Sequence, residues 1–328
     1  LASLMLSFTM IAESAFRANR NPRTPMWIAL TVTAAKLGLN GLLIFGHGGF
    51  PRLELFGAGV ATAASQALGL GLYVVVITRT PRDAPTALAP GDLLRRNPIA
   101  REVVGIALPG IGERIVLNLG MLSYFWVLSH AYGTLAVAAY TVGISLLSFS
   151  WIPGTGYAQA CSTIVGQALG ARSSEGALKG AHRALGLAIG TALPLGLLCA
   201  WQRTALAELF TSDVEVIATL SPFMLCLAIA QPFLQTHFTL GGAHKGAGDT
   251  VTPLIAATVG SWGIRVPAAL LLGNVLGADI IWLWITLILD HALRTVWLGV
   301  SFLRGRWRAL PPAVESPSRW PASMRRGS

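Results

Sequence analysis

Charge is scarce in this sequence. Only 12% of its 328 residues are Asp, Glu, Lys or Arg, about half the share of an ordinary soluble protein. Acidic residues are the scarcest, 14 against 24 basic ones. With 53% hydrophobic residues and a mean hydropathy of +0.62, this excludes a soluble globular domain and a disordered chain alike. Cysteine is rare too. Cys161, Cys199 and Cys226 lie far apart in apolar surroundings with no C-x-x-C pair, which argues against a disulfide framework or a thiolate metal site and leaves packing. Catalytic patterns are missing: no H-E-x-x-H, no G-x-S-x-G with a suitable His, and no pair of intramembrane Asp residues in a catalytic motif. An enzyme is not expected, nor is a bound metal or organic cofactor.

What the sequence does have is apolar runs of spanning length. They cover roughly 1–16, 25–46, 57–78, 102–128, 133–168, 184–201, 214–240, 252–273 and 280–303. A run of about 20 residues crosses the hydrocarbon core as a helix. The fold class is therefore an all-α polytopic membrane protein with eight full spans and one partial one. The 133–168 run is too long for one straight span, and its Pro153-Gly154-Thr155-Gly156 segment predicts a kink. The chain starts at Leu1, inside a run and without Met, and reads as an N-terminal truncation of a longer parent. No signal peptide precedes that run, and a first span needs none.

The net charge of +10 suggests nucleic acid until the cations are placed. Eighteen of the 24 fall in alternate gaps: 17–23, 79–101, 172–183, Lys245 and the tail 304–326. The other gaps hold only Arg52 and Arg203. This is the positive-inside pattern; it puts the basic gaps and the C-terminus in the cytoplasm and makes the partner membrane lipid, not nucleic acid. The organisation expected is 1–79 as one part, 80–100 as a Pro- and Ala-rich cytoplasmic linker, 101–303 as a second helical part, and 304–328 as a basic tail.

The chain also repeats itself. SAFRANRNPRTP at 14–25 aligns with GAHKGAGDTVTP at 242–253, matching Ala15 to Ala243, Thr24 to Thr252 and Pro25 to Pro253, with Arg17 against Lys245 and Asn21 against Asp249. A mid-span cation follows each Thr-Pro, Lys36 in one case and Arg265 in the other. Both copies face the same way, as in transporters built from parallel repeats. Pro253 lies 152 residues after Arg101, so the same spacing before Pro25 expects about 127 residues, or three spans, upstream of Leu1 and a twelve-helix parent.

These segments resemble one family. GAHKGAGDTVTP is similar to the RGAGDT..P turn of the multidrug and toxic compound extrusion (MATE) transporters. IVGQALGA at 164–171, LPGIGERIVLNLGMLSY at 108–124, FSWIPGTGYAQA at 149–160 and GAGVATAASQ at 57–66 resemble other family segments, in order. The resemblance implies two six-helix lobes around a central cavity, the first being the N-lobe (its second half is 1–79 here) and the second a complete C-lobe. It also implies antiport export of organic, often cationic, compounds coupled to H⁺ or Na⁺ entry, in the cell's inner or plasma membrane, by a monomer.

An intramembrane charge costs about 2.5–3.5 kcal/mol by insertion scales, so each one needs a partner or a wet cavity. Glu113, four residues after Pro109, is the leading ion-coupling candidate and the place for a Na⁺; its alternative is a structural pair with a cation such as Arg265. Asp290 and Arg294 stand one turn apart, an i,i+4 pair more suited to structure than to a site. Lys36 and Arg265 are candidate counter-ions, and His291 a candidate titrating group or headgroup contact. Glu13 can pair with Arg17, and Asp249 can cap the helix that begins at Thr250. Trp126, Trp262, Tyr124 and Asn118 are the candidate cavity residues. A lipid-linked oligosaccharide flippase of the same superfamily is the rival activity, because Lys36, Arg114 and Arg265 could face a pyrophosphate; a truncated product without activity is the other.

Overall fold

The structure, a computed structural model, describes residues 2–49, 51–80, 99–305 and 307. Among these the regular structure is helical. The helices are α1 (Ala2–Ala18), α2 (Arg23–Phe45), α3 (Glu54–Arg79), α4 (Ile99–Gly170), α5 (Ser174–Trp201), α6 (Arg203–Glu208), α7 (Val214–Gly246), α8 (Val251–Thr258), α9 (Val266–Leu270) and α10 (Ile280–Leu303). Seven stretches are long and apolar enough to cross a membrane. One of them, 70 residues long, would extend about 105 Å if straight. It is not straight. Gly133 has φ +76°, ψ −167°, a conformation only glycine adopts readily. The chain reverses there: the rings of Tyr124 and Tyr140 lie 5.4 Å apart, where 16 residues of straight helix would separate them by about 24 Å. α4 is thus two antiparallel spans, α4a (99–132) and α4b (134–170). Among the described residues the spans number eight, preceded by the 17-residue α1. Pro153 lies inside α4b without ending it.

The described residues divide into two compact units, 2–80 and 99–307. The predicted linker, 80–100, and tail, 304–328, fall almost wholly outside the described residues. In the first unit α1, α2 and α3 pack around Phe16, Ile28 and Tyr73. The second unit has two cores. The larger gathers Tyr124, Tyr140, Phe223 and Trp284 from α4a, α4b, α7 and α10. The smaller, at the basic end, gathers Cys161, Ala181, Ala243, Leu298 and Phe302. All three cysteines are buried and free, as their apolar settings predict.

Between α8 and α10 the helix widens twice into π-helical turns, Val259–Arg265 and Leu271–Val275. Pro267 supplies one cause: it has no N–H to give the carbonyl of Gly263, so that rung of the α-helical ladder is missing. Such widened turns are rare and gather at functional sites.

Candidate functional site

The first widened turn faces the charged stretch of α10. Arg294 donates to both carboxylate oxygens of Asp290, Nε to Oδ1 and Nη2 to Oδ2, each at 2.6 Å. Nη2 also donates to the Ser261 hydroxyl at 2.9 Å. Asp290 is fully buried and Arg294 nearly so. The carboxylate lies so close to the π-turn that a Cβ on Gly260 would sit 2.2 Å from Oδ1. The turn therefore needs glycine next to Ser261, and the i,i+4 pair expected from sequence becomes a three-residue network joining two spans.

Arg265 enters the same region from the end of that turn. Its Nη2 donates to the Tyr140 hydroxyl at 2.8 Å, and its guanidinium carbon stands 4.3 Å above the Tyr124 ring. Its Nη1 is 4.0 Å from Asp290 Oδ2, too far for a hydrogen bond. Asp290 is thus taken up by Arg294, and Arg265 rests on a phenol oxygen and an aromatic face. Tyr140 stacks on Trp284 at 5.9 Å, and Phe223 meets Trp284 edge-on at 4.9 Å. The cluster holds two guanidinium groups and one carboxylate, a formal excess of one positive charge inside the bundle.

Glu113 lies elsewhere. Its Oε1 accepts from Lys245 at 3.0 Å and its Oε2 is 2.8 Å from the same ammonium. The expected alternative partner, Arg265, is not the one used. Register explains this: α4a and α8 run side by side, with Gly112 level with Leu254 and Gly120 with Ser261. Glu113 therefore falls at the start of α8, near the basic end, and Arg265 about three turns deeper. The Na⁺ place expected at Glu113 is held by an ammonium.

Lys36 is half-buried and belongs to the first unit; no ion pair of Lys36 is found among the described residues. Glu13 pairs with Arg17. Of the cavity candidates, Tyr124 has no exposed surface and gives its hydroxyl to the Leu283 carbonyl at 2.9 Å, so it forms the floor under Arg265. Trp262 is half-exposed and donates to the Val116 carbonyl at 3.1 Å. Trp126 stacks on His130 at 5.2 Å, and Asn118 is exposed. His291 stacks on His237 inside the bundle, 5.1 Å between centroids, not at a headgroup position.

Several members were not read from sequence: Tyr140, Ser261, His237, and the buried pair Gln231 and Gln235, which donate to the Ser150 hydroxyl at 2.6 Å and carbonyl at 2.8 Å. The two Gln residues carried a signal, since amides at i,i+4 in an apolar span need a partner. Ser261 and Tyr140 carried none.

Comparison with known proteins now bears on this arrangement. A family model described as MatE matches residues 109–271, which include Glu113, Tyr124, Tyr140, His244, Asp249 and Arg265. The chain belongs to the MATE family. It is 27% identical over 305 residues to a probable multidrug resistance protein NorM of Thermotoga maritima, covering 93% of this chain and 65% of that protein. It is 30% identical over 318 residues to a probable NorM of Bradyrhizobium diazoefficiens, with coverages of 93% and 65%. The chain thus spans about two thirds of the length of these MATE relatives. Among solved structures, a MOP superfamily transporter from Pyrococcus furiosus, described as having a binding pocket of reverse polarity, superposes with a TM-score of 0.83 at 19% identity, covering 94% of this chain and 67% of that one. An outward-facing multidrug resistance MATE transporter gives 0.82 at 19% identity, covering 93% and 66%. The fold is the MATE fold.

Proposed function

We propose that this MATE chain serves multidrug export: a secondary transporter that moves small organic compounds out of the cell by antiport against H⁺ or Na⁺ entry. The observation that carries the reading is the charged network of Arg265, Asp290 and Arg294 at a π-helical turn in the middle of a membrane bundle. Charges are kept at that depth when something passes or binds there. The relatives named as multidrug resistance proteins support the substrate class. The alternating basic gaps support a plasma or inner membrane setting with the basic end and the C-terminus in the cytoplasm. Small organic molecules and lipid are the expected partners, and the protein acts as a monomer. No protein group of a cofactor-dependent enzyme is needed; the driving force is the ion gradient.

A lipid-linked flippase is the second reading, and one observation favours it. The network's excess is positive, which suits a phosphate-bearing substrate better than a cation.

The test is made in proteoliposomes that enclose a fluorescent organic cation, with a proton gradient and a Na⁺ gradient imposed separately. Gradient-driven efflux is expected under one of them. Arg265→Gln should lower its rate about tenfold, the worth of one buried polar interaction, while Glu113→Gln should retain most of it. No efflux under either gradient, with a folded protein, would overturn the export reading and point to the flippase.

A further inference from the structure

The turn between α7 and α8 holds a histidine whose ring is bonded at both nitrogens. His244 is 1% exposed. Its Nδ1 lies 2.9 Å from Asp249 Oδ2 and its Nε2 lies 3.3 Å from the Leu298 carbonyl oxygen on α10. Both partners accept. A backbone carbonyl has no proton to give, and the Asp249 carboxyl keeps its charge: burial opposes ionisation, but hydrogen bonds from His244 and Thr252 outweigh it and hold the group down at about 2. A neutral imidazole offers one N–H; the imidazolium offers two. Only the charged ring satisfies both contacts. In the neutral ring one nitrogen lone pair would face an oxygen lone pair, and a buried ring has no water to turn to.

We propose that His244 is a proton-binding site, and that the bound proton clasps the α7–α8 turn to α10 at the basic end of the bundle. The clasp reaches three spans. Asp249 spends its other oxygen on the Thr252 N–H at 3.0 Å, at the start of α8. Leu298 belongs to α10, where Phe302 meets the His244 ring edge-on at 5.9 Å. Next in sequence, Lys245 holds Glu113 of α4a. Asp249 is 17% exposed, which gives a proton its route to the ring. The charged and titratable groups on the packed elements include Asp249 and Lys245 of the turn, Glu113 on α4a, Cys161 on α4b, Glu175, Lys179, His182 and Arg183 on α5, Asp290, His291 and Arg294 on α10, and Arg304 just past its end; of these Asp249 makes the hydrogen bond. Removing the proton releases either Leu298 or Asp249, and with it the end of α10 or the start of α8.

The homologous turn of the first unit shows the alternative. There Phe16 takes the place of His244 and packs on Tyr73, 6.0 Å between rings. That contact closes the turn without a proton.

The inference does not depend on which compound is exported or which ion drives it, so its test avoids transport. The reconstituted protein is compared by hydrogen exchange at about pH 6 and about pH 8.5, corrected for intrinsic rates, and by ¹⁵N NMR of the imidazole nitrogens. In the wild type the amides of 296–303 and 249–254 should exchange about tenfold faster at the higher pH, and the His244 ring should carry two N–H groups at the lower. His244→Phe, which imports the first-unit residue, should remove the pH step. Equal exchange at both pH values, or a neutral His244 ring at the lower pH, would overturn the proposal. The ring measurement needs only the wild type and stands if the Phe variant does not fold.

Discussion

The turns at 14–25 and 242–253 follow the same backbone path. In the first, the Asn21 N–H donates to the Phe16 carbonyl at 3.0 Å and the Arg20 N–H to the Arg17 carbonyl at 3.1 Å. In the second, the Asp249 N–H donates to the His244 carbonyl at 2.9 Å and the Gly248 N–H to the Lys245 carbonyl at 3.1 Å. Both cross the left-handed region at the same place, Arg20 at φ +58° and Gly248 at φ +83°. Both then cap the following helix: Asn21 Oδ1 accepts from the Thr24 N–H at 3.3 Å and Asp249 Oδ1 from the Thr252 N–H at 3.0 Å. The repeat inferred from three identities is therefore real at the level of hydrogen bonds. The side chains differ in what they meet. The first turn closes on an aromatic pair, Phe16 and Tyr73. The second closes on a histidine bonded at both ring nitrogens, an ion pair to α4a, and two glycines set against α4b. A conserved backbone motif needs only its helix end, its left-handed residue and its cap; what it is used for is free to change.

The largest effect should come from the charged network, which has no counterpart among the described residues of the first unit. Asp290→Ala leaves Arg294 buried without its carboxylate and should cost about 3–5 kcal/mol. Lys36→Ala, the mid-span cation of the first unit that the repeat sets against Arg265, should cost less than about 1 kcal/mol. Thermal unfolding of the two variants in detergent measures the gap, and similar losses would erase the distinction between the units.

Exchanging the glycines comes next. A Cβ on Gly242 would stand 2.1 Å from the Ala158 carbonyl oxygen, and one on Gly246 would stand 2.3 Å from that of Ser162. Gly242→Ser and Gly246→Ala, the residues found in the first turn at Ser14 and Ala18, should each cost about 1–3 kcal/mol by overpacking. Ser14→Gly should change little, since Ser14 is exposed. Unfolding midpoints check both directions.

Asp249→Asn imports the first turn's cap and removes its charge. The cap survives, so the loss should be smaller. Its pH dependence carries the sign: a carboxyl held at about 2 in the fold, below its usual 3.8, stabilises at pH values above the usual value. That stability is lost as the pH falls from about 4 toward 2. The difference between wild type and Asp249→Asn should therefore shrink over that range, and a difference that stays constant would separate Asp249 from the His244 contact. The smallest change is Arg20→Gly. It relieves a left-handed arginine and should gain about 1 kcal/mol, read as a small rise in unfolding temperature.

Much of this was legible beforehand for physical reasons. Spans are read from apolar length because nothing else satisfies a backbone in lipid. The Asp290–Arg294 pair follows from one helical turn of spacing. The partner of Glu113, Lys245 in place of Arg265, was not legible because depth along a span depends on where the neighbouring helix begins, and the sequence around Pro109 does not carry that. Tyr140 and Ser261 were missed because each becomes part of the site only through partners 125 and 33 residues away.

By itself the sequence determined a polytopic helical membrane chain with two copies of one turn, because hydropathy, charge placement and helix capping are local properties. Only the tertiary structure decided which charges meet. It turned the chain at Gly133, widened the helix at Gly260, and so set Asp290 and Arg294 against Ser261, Arg265 on two tyrosines, and Glu113 on Lys245. Those pairings are decided by the register between spans, and register is a property of packed surfaces, not of any one of them.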